Sequence, residues 1–360
     1  MTGALDAPRS GRPLGSPARR KESRLEERRA RPRSSVLAPA GLALLLTSCS
    51  ESAAPSALEP QGPGAERVAG LWWLMFGIST AVVLVVAALI VIGAVRRRRR
   101  ADGDETPRWA MGMVIGGGVV FPILVLALLW ALTLRDVAFL DEPPSEPTVR
   151  IEVIGKRWWW DVRYPDQDVV TANEIHVPVG ETVDLLLRSG DIIHSFWVPE
   201  LMPKTDMIPG RDNQMWLRAD RPGTYRGQCA EFCGLQHARM AFLVIAEPRD
   251  EFDAWLQDQA AEPPAPPDPE AEAGLQAFLS SPCVGCHTIR GTEASGTLGP
   301  DLTHVASRRT LAAATIPNTP ENLLAWITNS QRIKPGNLMP PIELPSEDLQ
   351  AIVAYLETLE

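Results

Sequence analysis

The densest chemistry in the chain lies in one short stretch, Cys229-Ala230-Glu231-Phe232-Cys233-Gly234-Leu235-Gln236-His237-Ala238-Arg239-Met240. It holds two thiols, an imidazole, a carboxylate and a thioether. A second imidazole, His194, lies upstream in Ile193-His194-Ser195-Phe196-Trp197. Cysteine and methionine sulfurs are soft ligands, and imidazole suits copper as well as zinc. Two cysteines four residues apart can both bridge a pair of metal ions if the loop curls around them. Thiolate, imidazole and thioether together point to copper carrying electrons, because zinc rarely recruits methionine. Two other readings of the same residues are a structural disulfide in an exported domain and a closed zinc site.

A second constellation is Cys283-Val284-Gly285-Cys286-His287. C-x-x-C-H is the attachment signal for c-type heme. Cys283 and Cys286 would add to the heme vinyl groups, and His287 would ligate the iron. A thioredoxin-like redox pair is the alternative, but the flanks read as helical and the next residue is histidine. Two residues compete for the sixth iron position. Met339 sits on a proline-braced loop, Asn337-Leu338-Met339-Pro340-Pro341, and Met/His ligation raises a heme's potential, as an electron carrier requires. His304 is the rival.

These sites need scaffolds. Thr148 to about Pro248 reads as β structure: Thr148 to Ile154 alternates at period two, and Glu174 to Val179, Val183 to Leu187 and Met240 to Ile245 read as further strands between turn residues. Short strands with such punctuation argue a Greek-key sandwich or barrel, with His194 and the cysteine loop near strand ends. His176 lies in an alternating strand with no partner motif, which is a structural setting. After a short predicted helix, Asp250 to Gln259, the run from Glu262 to Pro269 carries five prolines and reads as an extended spacer. Beyond it, Glu321 to Asn329 and Ser346 to Leu359 read as helices, the latter opening on a Ser–Glu capping pattern.

Upstream, Leu71 to Val95 and Trp109 to Leu134 carry no charged residue. At 1.5 Å per residue the first covers roughly 37 Å, enough to cross a bilayer. Trp72 and Trp73 suit an interfacial belt, Pro122 predicts a kink, and Gly116-Gly117-Gly118 permits close helix contact. Five arginines, Arg96 to Arg100, place the connector in the cytoplasm and everything after about Arg135 outside. A basic, Ser- and Pro-rich leader precedes a short apolar run, Val36 to Leu46, ending in Leu46-Thr47-Ser48-Cys49. That is an export signal of lipobox type, with Cys49 as the lipid anchor and plain cleavage as the alternative. The 360 residues carry a net charge of -9, with a basic start and an acidic C-terminal half. Flush against a span, the arginine run sets topology, and no nucleic-acid partner is expected.

The full pattern resembles subunit II of the heme–copper cytochrome c oxidases, whose cupredoxin domain holds the CuA centre. The H-S-F-W turn at His194 and C-x-E-x-C-x-x-x-H-x-x-M from Cys229 to Met240 carry the resemblance. It implies that Cys229 and Cys233 bridge two coppers. His194 and His237 would cap one copper each, and Met240 and the Glu231 carbonyl would be the weak ligands. The Glu231 carboxylate would face a magnesium site shared with subunit I. Gly155-Lys156-Arg157-Trp158-Trp159-Trp160 resembles the family's aromatic segment above CuA, which implies electron entry at Trp158. Lys204, Asp206 and Arg211 match positions facing subunit I. Gly299-Pro300-Asp301-Leu302 resembles a segment that packs beside heme in class I cytochromes c, which implies Met339 over His304. In one departure, the second span is apolar around Val114-Ile115-Gly116, where the family often has a glutamate feeding a proton channel.

The expected chain is therefore a multi-domain membrane protein of caa3 type. Its parts are leader (1–48), linker (49–68), transmembrane hairpin (69–135), cupredoxin domain (148–250), Pro-rich linker (258–270) and all-α class I cytochrome c domain (271–360). The resemblance implies passage of electrons from an external donor through heme c and CuA to heme a of subunit I. There oxygen becomes water and protons are pumped. Expected partners are subunits I and III, a cytochrome c or quinol–cytochrome c reductase donor, and lipid. The expected place is the bacterial inner membrane, with both cofactor domains on the periplasmic face. The alternatives are an electron-entry subunit of a nitric-oxide or nitrous-oxide reductase and a non-enzymatic copper-binding assembly lipoprotein.

Overall fold

The computed structural model describes residues 55–97 and 108–360. The leader, Cys49 and most of the arginine run lie outside the described residues. Two helical stretches come first. Helix α1 spans Pro63–Arg97. The second stretch is α2 (Arg108–Ile115), a π-helical segment (Gly116–Val120) and α3 (Phe121–Asp141). Both stretches are long and apolar enough to cross a membrane, and their apolar windows are uncovered by protein.

Two details differ from the sequence reading. Helix α1 begins inside the expected linker, because Pro63 takes the helix start, where its missing N–H costs nothing. The Ala65 amide there bonds the Leu201 carbonyl at 2.9 Å. In the second stretch Pro122 falls in the first turn of α3, and the irregularity lies just before it as the π segment. Proline cannot donate to the carbonyl four residues back, and a local π register absorbs that gap. The same stretch runs past Leu134 because its end is held. Asp136 meets Arg135 at 3.0 Å and Arg67 at 3.6 Å, and the Leu140 carbonyl accepts from Trp216 Nε1 at 3.0 Å. The hairpin is thus seated on the β domain.

That domain is a sandwich of two five-stranded sheets. One sheet contains β1 (Val149–Lys156), β2 (Trp159–Tyr164), β3 (Val169–Ala172), β5 (Val183–Ser189) and β8 (Asn213–Leu217), in the order β3-β2-β1-β5-β8. The other contains β4 (Glu174–Pro178), β6 (His194–Val198), β7 (Met202–Met207), β9 (Gly223–Cys229) and β10 (Ala241–Glu247), in the order β4-β10-β9-β6-β7. Alternation explains which side chains fill the middle: on β1, Val149, Ile151 and Val153 are buried, with partly exposed residues between them. Trp160, Phe196 and Phe242 pack against one another below His194, with ring centroids 4.6–6.1 Å apart, the two phenylalanines stacked and the indole edge-on to both. Each buried phenylalanine contributes about 1.5–3 kcal/mol, which makes a stiff floor.

Helix α4 (Arg249–Ala260) buries Phe252 and Leu256 against this core. Next, α5 (Pro269–Ser280) opens on the last proline of the expected spacer, with the Asp268 side chain accepting from the Ala271 amide. Proline belongs at such a first helical position, so the spacer ends one residue earlier than its composition suggests. A two-stranded ribbon of β11 (Thr310–Leu311) and β12 (Ile316–Pro317) precedes α6 (Pro320–Thr328), α7 (Ser330–Ile333) and α8 (Ser346–Leu356). Helix α8 is preceded by Pro345 with no side-chain cap, so Ser346 begins the helix without capping it.

Candidate copper centre and heme pocket

The strand ends bring the first constellation together. His194 opens β6 and Cys229 closes β9, and Phe196 pairs with Cys229 across the two strands. From Cys229 the chain curls back through Cys233 and a short 3₁₀ turn, His237–Arg239, to Met240, the residue before β10. His194 Nδ1 lies 3.9 Å from Cys229 Sγ. Cys229 Sγ lies 3.7 Å from Cys233 Sγ. Cys233 Sγ lies 3.7 Å from both His237 Nδ1 and Met240 Sδ. The Glu231 carbonyl oxygen lies 3.1 Å from Cys229 Sγ. So two sulfurs occupy the middle and one imidazole flanks each of them.

The sulfurs are free thiols, and their separation far exceeds the roughly 2.0 Å of a disulfide. His194, Cys229 and Cys233 form a group tight enough to hold a metal ion, all three buried. His237 is farther out and half exposed. Hydrogen bonding with Cys233, above all, holds the Cys229 thiol well below its usual range, with His194 and nearby backbone helping against the cost of burial. The same bond and burial push Cys233 up. The shift at Cys229 is toward the thiolate, the form that binds metal. The donor set of two soft sulfurs, a thioether and two imidazoles fits copper.

Asp191 is a part that sequence reading missed. Its carboxylate meets His194 Nε2 at 2.8 Å and accepts from the Arg157 and Ile192 amides at 2.7 Å. Burial alone would raise this carboxyl, but those bonds outweigh it and hold it below its usual value. Asp191 fixes the ring so that Nδ1 faces the sulfurs. A carboxylate three residues before a ligand histidine is the sequence signal for it.

The second constellation lines a cavity of about 390 Å³. Cys283, Cys286, His287 and Met339 are all on its wall. His287 Nδ1 faces the Pro300 carbonyl at 2.8 Å, so that nitrogen donates and Nε2 is left for a metal. Burial, aided by the Arg308 charge, lowers the imidazole pKa and keeps it neutral. Gly299 makes room: a Cβ there would stand 2.6 Å from the ring. The Met339 loop is pinned by Ser330 Oγ and Gln331 Nε2, which donate to the Met339 carbonyl at 2.8 and 2.9 Å. His304 is not on the cavity wall; its ring meets the Ala261 and Glu360 carbonyls. Arg308 is on the wall, buried, with Nε lacking a partner. Its Nη2 donates to the Asp301 carbonyl, so Nε is an unfilled donor beside an apolar cavity, a setting that fits heme, whose carboxylates are anionic.

The wall is not made by the helical domain alone. Arg157, Trp158, Trp159 and Asn173 of the β domain complete it. Trp158 also donates Nε1–H to the Cys233 carbonyl at 2.8 Å. Gly234, at φ +106°, lets the indole lie within van der Waals reach, since a Cβ there would stand 3.1 Å from it. Across the same gap, Lys334 is buried with Nζ donating to the Trp158 and Ala312 carbonyls at 3.2 and 3.1 Å. Burial, and then the Arg239 charge, push its ammonium down to about 7.

A family model described as cytochrome c oxidase subunit II, periplasmic domain, matches residues 167–247. A cytochrome c model matches residues 271–360. Cytochrome c oxidase subunit 2 of Alkalihalophilus pseudofirmus is 37% identical over 327 residues, covering 89% of this chain and 95% of that protein. The subunit 2 of Bacillus sp. strain PS3 is 34% identical over 260 residues, covering 67% of this chain and 72% of that one. The crystal structure of the periplasmic domain of subunit II of cytochrome oxidase from Bradyrhizobium japonicum is 30% identical, covering 32% of this chain and 95% of that one with a TM-score of 0.31. The two curated relatives and the two family models show that the chain belongs to the cytochrome c oxidase subunit 2 family, as an electron-transfer subunit with a CuA copper site and a fused cytochrome c domain.

Proposed function

We propose that this chain takes electrons from an external donor at its cytochrome domain and hands them through its copper domain to the oxygen-reducing subunit I. Cys229 and Cys233 would bridge the two coppers, His194 and His237 would cap them, and Met240 and the Glu231 carbonyl would complete the set. Cys283, Cys286, His287 and Met339 would hold the heme. When bound, the copper pair and the heme supply one-electron storage at fixed positions. Trp158 is the residue between them. The observation that carries this reading is its double placement: the indole lines the heme cavity and hydrogen-bonds the Cys233 carbonyl at 2.8 Å.

The surface on the other side of the copper loop suits a partner subunit. Phe232 is 76% exposed, an unusual position for a phenylalanine beside a rigid site. Next to it, Lys204 bridges Asp206 at 2.9 Å and approaches the Glu231 carboxylate at 3.8 Å. Glu231 offers one carboxylate to a magnesium ion whose remaining ligands would come from subunit I. Subunit III and a cytochrome c or a quinol–cytochrome c reductase complete the proposed partners. The two apolar helices would cross the bacterial inner membrane, with Cys49 as a further lipid anchor and both cofactor domains on the periplasmic side.

The test is Trp158→Phe in the intact oxidase, with heme c reduced by a light pulse. Transfer to copper is expected to slow at least about tenfold, an added barrier of about 1.4 kcal/mol, while the heme spectrum and copper signal stay as in the wild type. An unchanged transfer rate would remove Trp158 from the route.

A further inference from the structure

Glu174 is the first residue of β4, in the copper domain, yet its carboxylate serves the cytochrome domain. It is 2% exposed. Oε2 accepts from the Arg309 amide at 3.1 Å, and Oε1 accepts from the Thr310 amide at 2.9 Å and from Thr310 Oγ1 at 3.1 Å. A buried carboxylate is costly unless its lone pairs are filled, and here the filling comes from the other domain. The grip is flanked on the same side. Arg309 donates to Thr224 Oγ1 at 2.6 Å, and Arg226 donates to the Ala314 carbonyl at 3.1 Å. Elsewhere between the two domains, Lys334 holds the Trp158 carbonyl, and Gln236 and Arg239 donate to the Pro335 and Ile333 carbonyls. The residues next to both partners of the grip, Asn173 and Arg308, line the cavity, as does Thr310 itself.

We infer that Glu174 is a positioning residue, the receptor of a permanent dock that holds the cytochrome domain as a fixed cap over Trp158. The Pro-rich segment therefore does not act as a tether for a swinging carrier. Arg290 pins its start by donating to the Ala260 and Ala261 carbonyls, each at 3.1 Å. With the cap in place Trp158 is 8% exposed, so a soluble donor protein cannot press against it. External electrons enter on the cytochrome domain alone. This rests on the reading that heme occupies the shared cavity. Failure of that reading appears as a lost heme c spectrum, whereas failure of the dock leaves the spectrum intact.

The experiment uses Glu174→Ala and Glu174→Gln in the intact oxidase. Loss of a charged acceptor from three buried bonds is enough to lower the docked fraction at least about tenfold. In Glu174→Ala, transfer from heme c to copper is expected to fall by a similar factor. Added soluble cytochrome c should then reduce the copper site directly, with both cofactor spectra unchanged. Glu174→Gln keeps one carbonyl acceptor and should recover part of the rate. Wild-type transfer rates in Glu174→Ala, with no direct reduction of copper, would overturn the inference. Should that variant fail to assemble, hydrogen exchange on the wild-type oxidase decides. The Arg309 and Thr310 amides should exchange at least about a hundredfold more slowly than amides in exposed loops, and loop-like exchange there would refute the dock.

Discussion

At the scale of single residues, the copper site is organised by groups that never need to touch copper. Asp191 holds the back of the His194 ring at 2.8 Å, and Trp160 and Phe196 close the space beneath it. Replacing Asp191 with asparagine keeps the volume but removes the charge that orients the ring. Copper affinity is expected to fall about 10–100-fold, measured by copper titration of the subunit, with the fold retained. Unchanged affinity would mean that packing alone sets the ring. In the heme pocket, Met339→Leu should leave the heme covalently attached through Cys283 and Cys286 but lower its potential, read in a redox titration. A potential equal to the wild type would take Met339 off the iron. The ligand types were legible in the sequence because their spacing is local: C-x-x-x-C and C-x-x-C-H are fixed within one turn of chain. Asp191, Arg308 and Lys334 were not singled out. Asp191 carries a local mark, three residues before His194, whereas Arg308 and Lys334 act through burial and through partners up to 176 residues away, which leave none.

Elements show the same division. Alternation exposed β1, and uncharged runs exposed both long helices, because one buried face or one apolar surface repeats with the period of the element. The π segment at Gly116–Val120 left no such trace, since a one-residue change of hydrogen-bond register does not alter composition. The start of α5 was hidden by a proline run that looks uniformly unfit for helix, although a first turn tolerates proline well. That start depends on Asp268 capping Ala271 at 2.9 Å. Asp268→Ala should cost about 1 kcal/mol, measured as a lower denaturant midpoint for the heme absorbance while the copper signal holds. Equal midpoints would show that packing against α8 carries the helix without its cap.

For the whole molecule, three modules are joined by contacts that make relative motion expensive. The hairpin is seated through Ala65, Asp136 and Leu140, and the cytochrome domain through Glu174 and Lys334. A soluble carrier must collide and orient for each electron, whereas a docked one keeps a fixed geometry, which is how a rigid scaffold lowers the cost of transfer. Domain composition was readable from the sequence, but docking was not, because Glu174 looks like any polar residue at the start of a strand. Removing copper with a chelator should leave heme c reducible by the external donor and reduced at steady state, with oxygen consumption lost. Optical monitoring of heme c during turnover checks this, and continued reoxidation of heme c without copper would point to a second exit.

The central claim is that Cys229 and Cys233 hold two coppers as one shared redox centre. Electron paramagnetic resonance of the complete, cofactor-loaded subunit tests it most directly. The account predicts a mixed-valence dicopper signal that disappears in Cys229→Ser. A signal from isolated, single copper ions, or none from a copper-loaded chain at any redox poise, would contradict it.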